Sequence, residues 1–162
     1  MSKMIKILFI LFVTLTTLFS QEIHFKETKY IYSLDNELRK TGTLTIQDNQ
    51  VTLHYKNGDK NIIYTSENIQ IITKNNTEMY THEESPEYNL FFQLVLGIYT
   101  NNTTLLSENF TIKENNSTII LLPNEYLSSV IESIKYEKDN AKLKYLTINF
   151  TNQDRITIEE IK

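Results

Sequence analysis

The feature that most restricts the fold is an alternation of apolar and polar residues, with a period of two, along most of the chain. Leu44 and Ile46 alternate with threonines. Val51, Leu53 and Tyr55 alternate in the same way with polar residues. Successive side chains of a β-strand point to opposite faces, so this spacing predicts strands that each have one apolar face.

Polar turns separate the predicted strands. Asn57-Gly58-Asp59 predicts a hairpin turn because Asn and Gly tolerate positive φ angles, and Asn75-Asn76 and Asn115-Asn116 mark two more turns. Further strands are predicted at the β-branched and aromatic runs 62–65, 69–72, 79–81, 110–112, 119–122, 134–136, 143–150 and 156–158. The sequence therefore predicts a mainly β protein, a single antiparallel meander of roughly ten strands. Strands and helices do not alternate, which argues against a parallel α/β sheet.

Two segments depart from the strand pattern. Ser85-Pro86-Glu87 predicts a helix start, with Ser as the cap, Pro in the first turn and Glu near the positive end of the helix dipole. An apolar stripe with helical spacing follows it, formed by Leu90, Phe91, Leu94, Val95 and Ile98. The second segment, 123–131, predicts two helical turns with apolar residues on one side.

The first strand after residue 20 is irregular. Its apolar residues are odd-numbered at Ile23 and Phe25 but even-numbered at Tyr30 and Tyr32. A change of parity within one strand moves the apolar side chains to the other face. The sequence therefore predicts a β-bulge or bend near Thr28.

The N-terminal segment has the layout of a secretory signal. Two lysines, Lys3 and Lys6, precede an apolar run over 7–19, and the small residue Ser20 precedes Gln21. We expect cleavage between Ser20 and Gln21, export, and a single mature domain over 21–162. The alternative is a membrane anchor, but a spanning helix needs about 20 apolar residues and this run is shorter.

Composition narrows the classes of partner. The formal net charge is −4, and the segment 1–20 contains lysines but no acids, so its removal makes the chain more acidic. An acidic chain has no basic footprint for nucleic acid. There is no cysteine, which excludes disulfides, thiol catalysis and thiolate metal sites. We expect no nucleic-acid partner.

The usual catalytic and cofactor motifs are absent from the sequence. His24, His54 and His82 are far apart in sequence, so none of them has the spacing of a metal-ligand set. The glycines, Gly42, Gly58 and Gly97, form no phosphate-binding loop. Adjacent acids such as 83–84 and 159–160 are typical of a solvated face. We therefore expect no catalytic residues, no metal and no cofactor.

One predicted strand is apolar on both faces. Residues 119–122 read Ile-Ile-Leu-Leu, and a strand of this kind must be covered on both sides. The helix that begins near Pro86 could cover one of them. The residues alone leave open whether the helix and the sheet enclose a cavity or a filled core.

Several segments resemble the family of bacterial outer-membrane lipoprotein carriers, and its LolA-like branch in particular. They are Phe25-Lys26-Glu27-Thr28-Lys29-Tyr30, Leu34-Asp35-Asn36-Glu37-Leu38, Thr41-Gly42-Thr43-Leu44, and the 119–122 strand running into Leu122-Pro123. The order of strands, helix, strands, short helix and strands is also similar. The resemblance extends over roughly residues 22 to 161 and lies in the order of the elements.

The resemblance implies an open, incomplete β-barrel, formed by one curled antiparallel sheet with a helical lid on its concave face. It also implies a periplasmic, non-enzymatic carrier that shields the acyl chains of a lipoprotein or another lipid on the way to the outer membrane. Its expected partners are these acyl chains, an inner-membrane exporter and an outer-membrane acceptor, and we expect a monomer. The candidate cavity and lid residues are Leu44, Ile46, Val51, Leu53, Leu90, Phe91, Leu94, Val95, Ile98 and Leu121.

Two other functions are compatible with the sequence. The first is an exported protein-interaction domain with a filled core and no ligand, such as a surface or secreted glycoprotein. The second is a hydrolase that uses acids without a recognisable motif. Binding of an acyl chain distinguishes the carrier from both.

Overall fold

A computed structural model describes residues 20–47, 50–58 and 60–161 of the chain. These residues form one antiparallel sheet of eleven strands with two helices inserted between the sixth and seventh strands. The strands are β1 (Ser20–Ile31), β2 (Asn36–Gln47), β3 (Gln50–Tyr55), β4 (Asn61–Tyr64), β5 (Ile69–Ile72), β6 (Thr77–Tyr80), β7 (Phe110–Asn115), β8 (Thr118–Pro123), β9 (Ile131–Asp139), β10 (Lys142–Phe150) and β11 (Arg155–Ile161). The predicted mainly β fold with a single antiparallel sheet is confirmed.

The strand order is β6-β5-β4-β3-β2-β1-β11-β10-β9-β8-β7. Neighbours in the sheet follow one another along the chain, except where β1 pairs with β11. That pairing places Glu27 opposite Ile158 and joins two meanders into one sheet. Within the described residues β6 and β7, the two end strands, do not pair with each other, so the curled sheet stays open.

A buried row of side chains crosses the first half of the sheet. Ile23 lies opposite Leu44, Leu44 opposite Leu53, and Leu53 opposite Ile62. All four residues are buried, whereas their neighbours along each strand are more exposed. We call the face that carries them the inner face. The period-two pattern of the sequence is therefore the pattern of this face.

The predicted bulge near Thr28 is wrong. Strand β1 pairs without interruption from Ser20 opposite Gln47 to Ile31 opposite Asn36, and its pairing with β11 is equally regular. The even-numbered aromatic residues have another explanation. Tyr30 lies on the other face, where its hydroxyl donates to Asp35 at 3.0 Å, and Tyr32 begins a 3-10 turn (Tyr32–Leu34) outside the strand.

The turn after β3 forms where expected, but its backbone conformation differs from the predicted one. The Gly58 N–H donates to the Tyr55 carbonyl at 3.2 Å, yet neither Asn57 nor Gly58 has a positive φ. The turn between β7 and β8 does use a positive φ, 56° at Asn116. The residue type predicted both turns, but only the second depends on the left-handed conformation.

The predicted helix is present as α1 (Pro86–Tyr99), with Pro at its start and Glu87 in its first turn. Ser85 occupies the cap position but makes no side-chain capping hydrogen bond, contrary to the prediction. A short helix, α2 (Thr103–Ser107), follows and was not predicted. Asn102 caps it by accepting the Leu105 N–H at 3.0 Å. None of the helices in the described part of the chain is long and apolar enough to cross a membrane.

Residues 125–130 form turns and no continuous helix, so the predicted helix over 123–131 is wrong. Pro123 belongs to β8 and Ile131 to β9, which leaves only a short link between two strands. The link closes with hydrogen bonds from the Ser128 N–H to the Asn124 carbonyl and from the Ile131 N–H to the Leu127 carbonyl, at 3.0 and 2.8 Å.

Residues 1–19 of the expected signal segment lie outside the part of the chain that the structure describes. Ser20 and Gln21, the residues on either side of the expected cleavage point, begin β1 and pair with Gln47 and Ile46.

Candidate functional site

Helix α1 lies across the inner face, and its central part packs tightly on the sheet. Phe91, Val95 and Ile98 of the helix meet Leu44 and Leu53 of the sheet. The space left between them is about 20 Å³, roughly enough for one water molecule. At its centre, the interface between helix and sheet is therefore a filled core.

Three of the predicted cavity residues belong to the core alone. Ile46, Val51 and Leu121 are 2%, 0% and 0% exposed, and they line neither the central gap nor the two clefts described below. Val51 lies opposite Ile46 in the sheet, so both contribute to the same packed row. The sequence cannot separate such residues from cavity-lining ones because both types are apolar and alternate with polar residues.

An open cleft of about 640 Å³ lies on one side of α1. We call it the apolar cleft. Its walls come from the first half of the helix, from the link 124–130 and from β9, β10 and β11, and its lining includes Leu90, Phe91, Leu94, Ile134, Ile148 and Ile156. Leu90, Phe91 and Leu94 are the predicted cavity and lid residues that line it.

The rim of the apolar cleft contains exposed apolar side chains. Tyr126 is 82% exposed and Val130 is 58% exposed, and both line the cleft. Isolated exposed apolar residues are common on protein surfaces. These two are notable because they extend an apolar cavity to the solvent.

A second open cleft, of about 770 Å³, lies on the other side of α1. We call it the charged cleft. Leu53, Ile62 and Ile158 form apolar parts of its wall, and its mouth contains Lys29, Lys40, Lys60, Glu27 and Glu87. Phe91, Ile148 and Ile156 line both clefts, so the two cavities meet beneath the first half of the helix.

Phe91 has a special position because it lines the central gap and both clefts. It is half-buried and makes an edge contact with Phe92, with the ring centres 5.2 Å apart. Phe92 itself is 0% exposed and stacks on Tyr64. The predicted stripe omitted Phe92 because α1 is buried over a wider arc than one apolar stripe.

Polar contacts anchor α1 at both ends. At its C-terminal end, the Lys138 ammonium donates to the Ile98 carbonyl at 3.0 Å and to Asn101 Oδ1 at 2.9 Å. Partial burial lowers the pKa of Lys138, and the nearby Glu160 opposes this shift. Near its N-terminal end, the Tyr64 hydroxyl donates to Asn89 Oδ1 at 3.1 Å. Nothing in the sequence pattern indicated these anchors, since they join residues far apart in the chain.

The Tyr55 hydroxyl holds a carboxylate at the mouth of the charged cleft. It donates to Glu27 Oε2 at 2.7 Å. Burial, followed by the hydrogen bond to Glu27, raises the pKa of Tyr55 far above its usual range. Tyr55 therefore stays a neutral donor, and the Glu27 carboxylate keeps a fixed partner.

The histidines have separate surroundings. His24 contacts Thr43, His54 contacts Asn61, and His82 stacks on Tyr64 with Nε2 at 3.0 Å from the Thr65 carbonyl. In the part of the chain that the structure describes, no three His, Cys, Asp or Glu side chains are grouped so that they could hold a metal ion. What the described residues offer to a ligand is the apolar volume of the two clefts and the charged mouth of one of them.

No family model matches the chain, and no curated protein matches it at a significant level.

Proposed function

We propose that this protein is a periplasmic carrier that shields the acyl chains of a lipoprotein or another lipid during transport toward the outer membrane. The observation that carries the proposal is the pair of open clefts that meet at Phe91 on the inner face. Together they provide an apolar space that begins at the solvent and continues beneath a helix.

The size of the clefts suits such a ligand. Small-molecule sites typically have volumes of about 300–1,000 Å³ and mostly apolar walls. The apolar cleft, at about 640 Å³, lies within this range. Each methylene group removed from water contributes about 0.8 kcal/mol, so affinity grows with the length of chain that is covered. Such a ligand needs few polar groups and no catalytic residues.

The sequence supports the location and the partners. The N-terminal layout is typical of an exported protein, and the order of elements resembles that of LolA-like lipoprotein carriers. On this basis the protein takes its cargo from an inner-membrane exporter and delivers it to an outer-membrane acceptor. It acts as a monomer without a cofactor.

The proposal is tested by titrating the purified mature protein, residues 21–162, with a fluorescent fatty acid. We expect one saturable site and displacement of the probe by excess phospholipid or lipopeptide. The double variant Tyr126→Ser/Val130→Ser should weaken binding severalfold because it removes apolar surface from the rim of the apolar cleft. Its thermal midpoint should change little, since exposed positions rarely contribute more than about 0.5 kcal/mol.

A matched control places the same type of change outside the clefts. Met79 is also exposed, at 61%, but lies on β6, and Met79→Ser should leave binding unchanged. If the wild-type protein shows no saturable binding, the exported interaction domain becomes the better description.

A further inference from the structure

The inner face changes from apolar to charged along β1 and β2. Alternation places Glu27 and Lys29 on the same face as Ile23 and Phe25. The register places Lys40 directly opposite Glu27, and therefore also on this face. Three charged side chains thus continue the buried row outward to the mouth of the charged cleft.

The charged residues lie directly beside the apolar floor. In the register between β1 and β11, Lys29 is opposite Ile156, and Ile156 is in turn opposite Ile148 on β10. Ile148 and Ile156 line both clefts. A row of the sheet therefore leads from a lysine to the floor shared by the two cavities.

Cations outnumber carboxylates around this mouth. Lys29, Lys40 and Lys60 lie at this mouth with only two acids, Glu27 and Glu87, and Arg39 also borders the cleft. Arg39 pairs with Glu37 at 2.9 Å, and strand alternation places its side chain on the opposite face from Lys40. Within the described ranges, neither Lys29 nor Lys40 has a carboxylate oxygen within 4.0 Å.

Aromatic contacts orient two of the cations, Lys40 and Lys60. The Lys40 ammonium lies 5.2 Å from the centre of the Tyr55 ring, while the Tyr55 hydroxyl engages Glu27. The Lys60 ammonium lies 5.1 Å from the Tyr88 ring centre and 2.7 Å from its hydroxyl oxygen. These contacts orient the ammonium groups without neutralising their charge.

We propose that Lys29 and Lys40 bind the anionic headgroup of an amphiphile whose acyl chain extends past Phe91 into the apolar cleft. The proposal rests on the proposed function and specifies its ligand, an amphiphile with a carboxylate or phosphate headgroup. A charged headgroup at the mouth would keep its contact with water, and the chain would lie against Ile148 and Ile156.

The test compares amphiphiles of one chain length as competitors of a fluorescent fatty acid on the mature protein, residues 21–162. The probes are a fatty acid, a lysophosphatidylglycerol and a neutral monoglyceride. We expect both anionic probes to bind about tenfold more tightly than the monoglyceride, a difference of about 1.4 kcal/mol. Added salt should reduce this advantage. If only one anionic probe shows the advantage, the inference holds for that headgroup, carboxylate or phosphate.

Two double variants isolate the headgroup contact. Lys29→Gln/Lys40→Gln should remove the preference for anionic probes and leave the affinity for the monoglyceride unchanged. Lys74→Gln/Lys135→Gln removes the same charge from exposed positions outside the clefts and should keep the preference.

The outcomes separate this inference from the proposed function. Saturable binding of the monoglyceride and the anionic probes with equal affinity would overturn the headgroup site but leave the carrier proposal intact. An equal loss of preference in both double variants would also overturn it, because the effect would then come from net charge. Absence of saturable binding for every probe would overturn both proposals.

Discussion

At the scale of single residues, two glycines permit close packing that a side chain would block. A Cβ at Gly42 would meet the His54 carbonyl oxygen and would lie 2.6 Å from the Phe25 ring. A Cβ at Gly97 would lie 2.5 Å from Leu106 Cδ2 and 2.6 Å from its Cγ. A glycine inside a helix usually lowers the stability of the helix relative to alanine. The structure shows that this glycine accommodates the buried Leu106 side chain of α2.

We predict that Gly97→Ala destabilises the protein although alanine favours helices. The helical preference contributes about 1 kcal/mol, whereas overpacking a core contact costs about 1–3 kcal/mol. Chemical denaturation should therefore show a lower free energy of unfolding. In a Leu106→Ala background the sign should reverse, because the added methyl group then fills vacated space. A destabilisation of equal size in both backgrounds would contradict the packing explanation.

Two partly buried tyrosines, Tyr55 and Tyr99, lower the stability of the folded protein at alkaline pH. Burial, assisted by Glu27 and Glu160 respectively, raises the pKa of Tyr55 and Tyr99 in the folded state. In the unfolded chain both groups ionise near the usual pKa of about 10. Their contribution to stability is thus constant below about pH 10 and falls as the pH rises above it.

We therefore expect the free energy of unfolding to decrease above about pH 10. Tyrosinate absorbance from Tyr55 and Tyr99 should appear late in the titration, together with unfolding. Tyr99→Phe should reduce the slope of stability against pH. Full titration of all tyrosines in one stage near pH 10, in a protein that remains folded, would contradict this account.

At the scale of elements, α1 both completes the core and forms a wall of the clefts, and two adjacent aromatic residues divide these roles. Phe92 is fully buried against Tyr64, whereas Phe91 is half-buried and lines both clefts. The sequence predicted the position of the helix and the burial of Leu94, Val95 and Ile98. It could not predict Phe92, because the width of the buried arc depends on the curvature of the sheet beneath the helix.

We predict opposite effects for substitutions at these neighbours. Phe91→Asp should weaken binding of the fluorescent fatty acid by tenfold or more while the thermal midpoint changes little, because a carboxylate there can reach water through either cleft. Phe92→Leu should destabilise the protein by about 0.5–3 kcal/mol and leave the affinity per folded molecule unchanged. Calorimetry measures the thermal stability of both variants, and titration with the fluorescent fatty acid measures their affinity. If Phe91→Asp loses stability as Phe92→Leu does and keeps its affinity, Phe91 belongs to an ordinary core.

At the scale of the whole molecule, the pairing of β1 with β11 creates the candidate site. It brings the C-terminal meander, with Ile148 and Ile156, beside Glu27 and Lys29 of the first strand. The sequence predicted most strands, because alternation and polar turns act locally, and it predicted that neighbours would pair. It could not predict this long-range pairing, and therefore could not place Ile148 and Ile156 beneath Phe91, although both lie in predicted strands.

The same limit explains the division of the predicted cavity residues. Of these residues, Leu44, Val95 and Ile98 border only the nearly filled centre, Leu90 and Leu94 border only open space, and Leu53 and Phe91 border both. All are apolar residues with regular spacing. Only the distance between helix and sheet, which follows from the curl of eleven strands, distinguishes a packed contact from a cleft.

The central claim is that an acyl chain lies on the inner face beneath the first half of α1. It is tested most directly by photo-crosslinking the mature protein, residues 21–162, with a fatty acid that carries a diazirine in its chain, followed by mass-spectrometric mapping. We predict saturable labelling within 86–99, 126–134 and 148–156, suppressed by excess unlabelled lipid and reduced in Phe91→Asp. Labelling spread over the outer face, or labelling that excess lipid does not suppress, would contradict the claim.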